Sequence, residues 1–98
     1  MNGNDMTSAT VNWRQCDGLS VTLVDDDAFI VNPKNDAIFH LNALGRALWA
    51  LLAHPQTATE LGETVAEAFP DAPRATVMAD TKTFIETLAK RGLIEAVD

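Results

Sequence analysis

Ninety-eight residues with an apolar share of 47% and a charged share of 21% describe one globular domain with a single core and no room for a deep, lidded active site. A net charge of −7, from seven Lys and Arg against fourteen Asp and Glu, argues against a nucleic-acid binder, whose affinity rests on basic side chains neutralising phosphates. The single cysteine, Cys16, excludes an internal disulfide and a four-cysteine zinc site and suits a reducing cytoplasm. No basic start followed by an apolar run marks a secretion signal, and the most apolar run, residues 43–53, is too short to span a bilayer and contains Arg46. The expectation is a soluble cytoplasmic protein with neither nucleic acid nor membrane as partner.

Residues 1–10 are small and polar, and are expected to form a disordered tail ahead of one domain over residues 11–98. Val11 and Trp13 begin something more ordered, with Trp13 placed to cover an open end of the core. From Leu19 the hydrophobic period is two: Leu19, Val21 and Leu23 point one way, and Ser20, Thr22 and Val24 the other. Asp25-Asp26 marks a tight turn into a second strand, residues 28–32, with Phe29 and Val31 on one face. Residues 33–36 (Pro-Lys-Asn-Asp) form another turn signal, and a third strand follows at once. Three strands joined by short turns make an antiparallel meander.

The period changes within residues 36–52. Ala37, Phe39 and Leu41 share one side of the third strand, with Ile38 and His40 on the other. Asn42 supplies the oxygen a helix N-terminus needs, and Leu44, Leu48, Leu51 and Leu52 then recur as a core-facing helical stripe. His54-Pro55 ends this first helix. Thr57-Ala-Thr-Glu60 reads as a capping box for a second helix that places Leu61, Val65 and Phe69 on one face and stops at Pro70. Asp71 or a neighbour caps a third helix, with Pro73 in its first turn. That helix reaches about Arg91, buries Val77, Thr81, Phe84, Ile85 and Leu88, and exposes Lys82, Glu86 and Lys90. Gly92 is the expected left-handed residue after it, letting Leu93 fold back onto Leu88. The fold class is α+β: a three-stranded antiparallel sheet followed by three helices, resembling a winged helix-turn-helix whose hairpin comes first.

The chemistry-bearing residues are few. Cys16, His40 and His54 are far apart in sequence, and no metal-ligand spacing is present, so neither a metal nor another cofactor is expected. Asp25-Asp26-Asp27 lacks the alternating ligands, glycine and terminal glutamate of a calcium loop and reads as a solvated turn. Gly45 and Gly62 belong to no phosphate-binding signature and read as close helix contacts. The informative feature is the third strand. In a sequential sheet its far side is free, and Ala37-Ile38-Phe39 carries little to block pairing, so an extended peptide could add there as a fourth strand. A helix or a second copy covering that edge is the alternative.

The run from Phe29 through Pro33 and Asp36 to Leu52, a strand ending in Leu41-Asn42 and then a helix with Trp49, Leu51 and Leu52, resembles the PqqD-like family. Thr57 to Leu61 and the stretch from Asp80 to Ile94, with its Gly92-Leu93 end, are similar to that family's second and closing helices, so the likeness covers residues 19–95. It implies a non-catalytic chaperone that binds the leader segment of a ribosomally made, post-translationally modified peptide and presents it to a separate modifying enzyme. It also implies peptide-binding residues: Asp36, Ala37, Ile38, Phe39 and His40 on the strand, and Val77, Asp80, Thr81 and Phe84 on the third helix. Met78 and Ile85 lie on that helix's other flank, and the sequence leaves open which flank faces the peptide. Where pyrroloquinoline quinone pathway members often carry Cys-Asp-Gly after the first helix, this chain reads Leu52-Ala-His-Pro-Gln56, which leaves open cofactor biosynthesis or another modified peptide such as a lasso peptide. Two further readings stand beside this one: a winged-helix DNA-binding regulator, with only Arg74, Lys82, Lys90 and Arg91 on the third helix to support it, and a small structural subunit that dimerises through its sheet edge.

Overall fold

The computed structural model describes residues 11–97; the expected disordered tail, residues 1–10, lies outside the described residues. The elements in order are β1 (Asn12–Gln15), β2 (Ser20–Val24), β3 (Asp27–Asn32), β4 (Ala37–Leu41), α1 (Ala43–Leu51), β5 (Gln56–Thr57), α2 (Ala58–Ala68), α3 (Arg74–Lys90) and β6 (Ile94–Val97). Two three-stranded sheets result, the meander β2-β3-β4 and a second sheet of order β5-β1-β6.

The meander is closed by two acid- and amide-rich turns. Asp25 takes φ 55° between β2 and β3, and Asp36 takes φ 56° between β3 and β4. Short polar side chains tolerate that left-handed region better than most. The second turn is also tied by its own amides. Asn32 Oδ1 accepts from the Lys34 N–H at 3.0 Å, and Asn35 Oδ1 accepts from the Ala37 N–H at 2.9 Å. Along β3 the buried residues are Ala28, Ile30 and Asn32; along β4 Leu41 is buried, Ala37 and Phe39 are half-buried, and Ile38 and His40 are exposed. The alternation in β2 is real, but neither of its faces is covered. All five residues are exposed, while α1 packs under β3 and β4.

Asn42 caps α1 as its chemistry requires, its Oδ1 accepting from the Gly45 N–H at 2.8 Å. Leu48, Trp49 and Leu52 enter the core, whereas Leu44, expected on the same stripe, is 44% exposed. The capping box of α2 forms in both directions, Glu60 N–H to Thr57 Oγ1 at 3.0 Å and Thr57 N–H to Glu60 Oε1 at 2.9 Å. Leu61 and Val65 are buried, but Phe69, expected as the third residue of that face, is 50% exposed, since the helix ends at Ala68 and the chain turns away there. α3 starts without the expected aspartate cap: Pro73 occupies the N-cap position, and no side chain bonds the first amides. Its buried residues are Val77, Thr81, Ile85 and Leu88, with Phe84 only half-buried. The buried Thr81 hydroxyl is satisfied by donating to the Val77 carbonyl at 2.8 Å.

Two glycines set how α3 sits. A Cβ on Gly62 would stand 2.6 Å from Met78 Sδ, so the absence of a side chain lets α2 and α3 approach there. Gly92, at φ 74°, forms the left-handed turn after α3, with Leu93 N–H bonding the Leu88 carbonyl at 2.9 Å and Gly92 N–H bonding that of Ala89 at 3.1 Å. Leu88 and Leu93 are both buried. This turn sends β6 back along β1 in antiparallel register, Asn12 opposite Val97 and Gln15 opposite Ile94.

The three-stranded meander and the three helices stand as expected, and the second sheet adds to them: β1 precedes the meander, β5 lies between α1 and α2, and β6 follows α3. β1 is the central strand of this second sheet, held further by Gln15 N–H to the Leu52 carbonyl at 2.9 Å and Cys16 N–H to the Leu93 carbonyl at 3.0 Å. Trp13, 2% exposed, anchors it in the main core. Trp13→Ala is therefore expected to cost about 3–5 kcal/mol in urea unfolding. Val21→Ala on the uncovered β2 should cost less than about 1 kcal/mol. Equal effects would mean that β1 is not built into the core.

Candidate functional site

The order β2-β3-β4 leaves the far side of β4 without a strand partner. Register decides which of its backbone groups are free. A two-residue turn at Asp25-Asp26 makes Val24 and Asp27 a hydrogen-bonded pair. Alternation along β3 then turns the backbone groups of Ala28, Ile30 and Asn32 toward β4, where they meet Leu41, Phe39 and Ala37. The N–H and C=O groups of Ile38 and His40 therefore point away from the sheet, to the open edge.

Beside this edge lies a groove of about 540 Å³. β4 and the start of α1 form one wall through Phe39, Leu41, Asn42, Leu44, Gly45 and Leu48; the end of α2 contributes Val65 and Phe69; the opposite wall is Ala72 and α3, with Thr76, Val77, Asp80, Thr81 and Phe84. The lining is largely apolar, and among the described residues Asp80 is its one Asp or Glu, with no Lys or Arg. Leu44 and Phe69, large apolar side chains that amphipathic spacing assigns to the core, stand half-exposed at its lips.

Of the residues singled out from the sequence, Phe39, His40, Val77, Asp80, Thr81 and Phe84 come together on this groove. The remaining three, Asp36, Ala37 and Ile38, lie outside the lining: Asp36 in the turn, Ala37 half-buried at the start of β4, and Ile38 on the outer sheet face at 64% exposure. His40 holds its ring on that outer face, with Nε2 2.7 Å from Asp27 Oδ2 and the ring 5.0 Å from that of Phe29. The two flanks of α3 meet different neighbours: Met78 packs toward Gly62 of α2 and Ile85 is fully buried, while the Thr76, Asp80 and Phe84 side lines the groove. Leu44, Gly45 and Phe69 were missed. Their signal is weak because each sits at a helix end, where a stripe residue projects past the neighbour that would have covered it.

The other candidates resolve differently. Burial pushes the Cys16 thiol pKa up, and the Glu95 carboxylate adds to this, so little thiolate is present at neutral pH. Among the described residues no group of three His, Cys, Asp or Glu is placed to hold a metal ion. Two basic groups of α3 and its cap are engaged, Arg74 with Glu63 at 2.7 Å and Arg91 over the Phe39 ring at 5.6 Å, which leaves a weak surface for phosphates. No helix among the described residues is long and apolar enough to cross a membrane.

With the fold and groove defined, known proteins provide a comparison. No curated protein matches the chain. Among solved structures, TbiB1 in complex with the TbiA(beta) leader peptide superposes with a TM-score of 0.74, covering 87% of this chain and 98% of that one at 24% identity, so the two share a fold. The family model for coenzyme PQQ synthesis protein D (PqqD) matches residues 27–94, from the first residue of β3 to the first of β6. The chain belongs to the PqqD family.

Proposed function

We propose that this protein binds the leader segment of a ribosomally made precursor peptide as an added strand on β4, in the cytoplasm, and presents it to a separate modifying enzyme without doing chemistry itself. The observation that carries the reading is the bare edge of β4 standing beside an apolar groove. Family membership and the leader peptide bound by TbiB1, which has the same fold, support it.

The physical scheme follows from the register. A guest strand bonds to the outward N–H and C=O groups of Ile38 and His40. Its side chain opposite Phe39 points, like that of Phe39, to the groove side, and its neighbours point to the outer face beside Ile38 and the His40 ring. Backbone bonds contribute little net affinity, because water satisfies the same groups in the free protein. The gain comes from covering Leu44, Phe69 and Phe84, and the strand bonds fix register. Asp36 to His40 thus serve as template, and Val77, Asp80, Thr81 and Phe84 as wall.

A proline scan of β4, read by calorimetry with the leader of the precursor encoded beside this gene, tests the scheme. Ile38→Pro and His40→Pro remove outward donors and should abolish binding while lowering stability only slightly, with Ile38→Ala and His40→Ala as side-chain controls. Phe39→Pro removes a ladder donor, leaves a carbonyl of β3 unpaired, and should destabilise the domain by about 1–3 kcal/mol or more, and Ala37→Pro removes the turn bond to Asn35 Oδ1 and should destabilise it as well. A flat profile, with all four variants equally unfolded or all four binding normally, would remove the structural basis of strand addition. Binding should also be unchanged by a chelator, since the scheme routes nothing through a metal; loss on chelation would contradict it.

A further inference from the structure

We infer that Asp80 selects a leader carrying an arginine or lysine at one groove-facing position, an inference that rests on the peptide-binding reading above. Thr76, Asp80 and Phe84 are four residues apart and form one row along α3 at the groove, above the buried Val77 and Thr81. The acid therefore stands between a hydroxyl and a half-buried aromatic ring. The same groove is lined by Leu44 and Phe69, both about half exposed.

Three further observations make Asp80 a recognition group. The Asp80 carboxylate takes no ion pair or hydrogen bond among the described residues, as is true of several surface acids, but Asp80 is the one acid among them that lines the groove. Among the described residues no Lys or Arg lines the groove to neutralise it. The chain as a whole carries −7, so its field draws in cations and disfavours acidic guests. A guest that covers the groove with a neutral side chain at this point strips water from the carboxylate and gives nothing back. A lysine or arginine matches every part of the row: its methylene stem lies on apolar wall, its head reaches the carboxylate, and the Phe84 ring offers a face to the cation. Strand alternation confines this residue to the set of guest positions that point to the groove, so the expected pattern is apolar side chains with one basic member at two-residue spacing.

Selection from a displayed library of random peptides about ten residues long tests this without knowing the natural leader. Wild-type protein should enrich alternating apolar sequences containing one Arg or Lys in phase with them. Asp80→Lys should enrich Asp or Glu at that same position and keep the apolar pattern. The best wild-type peptide should bind Asp80→Asn roughly tenfold more weakly, and added salt should weaken the wild-type complex far more than the variant one. Asp80 is exposed and its side chain takes no hydrogen bond or ion pair among the described residues, so both variants should unfold close to the wild-type midpoint. If wild type and Asp80→Lys enrich the same sequences, Asp80 plays no part in selection and the inference falls while peptide binding stands. If neither enriches any peptide over a Leu44→Glu, Phe69→Glu control, the groove is not a peptide site and both readings fall together.

Discussion

The backbone of Ile38 and His40, turned outward from the last strand of an open sheet, is the constraint around which the molecule is arranged. An unpaired edge of this kind invites association with any extended chain, and folded proteins usually cover it, shorten it or place charge along it. Here neither proline nor a lysine breaks the run from Ala37 to Leu41, and the strand is a regular five residues. What stands beside the edge is a separate wall, α3, set across a groove. The edge is thus guarded by a requirement: a chain that pairs with it must also fit its side chains between β4 and α3.

That wall has to be held off β4 without collapsing onto it, and most of the remaining structure does this. α3 is fixed along its buried row by Val77, Thr81, Ile85 and Leu88, and along its Met78 side by the close approach to α2 that Gly62 permits. Its end is fixed by the turn at Gly92, which hands the chain to β6, and β6 is paired to β1 along four residues. β1 in turn bonds the end of α1 through Gln15, whose backbone N–H donates to the Leu52 carbonyl and whose side-chain amide donates to the Trp49 backbone carbonyl. The second sheet is therefore a clamp at one side of the molecule that ties α1 and α3 together while leaving the groove between β4 and α3 open. Arg91, just past the end of α3, reaches over the Phe39 ring and links the wall to the edge strand.

Much of this is legible in the residues. Local signals with a defined chemistry are the clearest: the Asn42 cap, the reciprocal Thr57 and Glu60 bonds, the left-handed Gly92 with Leu93 folded onto Leu88, and the period-two strands of the meander. Each is settled within a few residues and owes little to distant contacts. β1, β5 and β6 are illegible for the opposite reason. They are two to four residues long, carry too little pattern to count, and exist only because their partners lie up to 85 positions away, Asn12 opposite Val97. The helix stripes mislead at their ends. Spacing places Leu44 and Phe69 on buried faces, yet each sits where its neighbour's cover runs out. The same departure makes them visible as lips of the groove. Position on α3 is legible as a set of residues but not as a direction, since Met78 and Asp80 differ only in which neighbour they meet.

The sheet has a second free edge, that of β2, and comparing the two shows why an open edge alone does not make a site. By the same alternation, Val21 and Leu23 turn their backbone groups outward, so β2 offers an added strand the same kind of hydrogen bonds as β4. Such bonds replace bonds to water and yield little net free energy. Binding strength has to come from apolar area removed from water, at roughly 25 cal/mol per Å². All five residues of β2 are exposed, so a guest there would find little apolar cover among the described residues. On β4 the groove-side residues of a guest would meet Leu44, Phe69, Val77 and Phe84 together. The asymmetry lies in where the helices pack, which traces back to Asn42: by starting α1 one residue after β4, it places the helical layer beneath this edge and leaves the other bare.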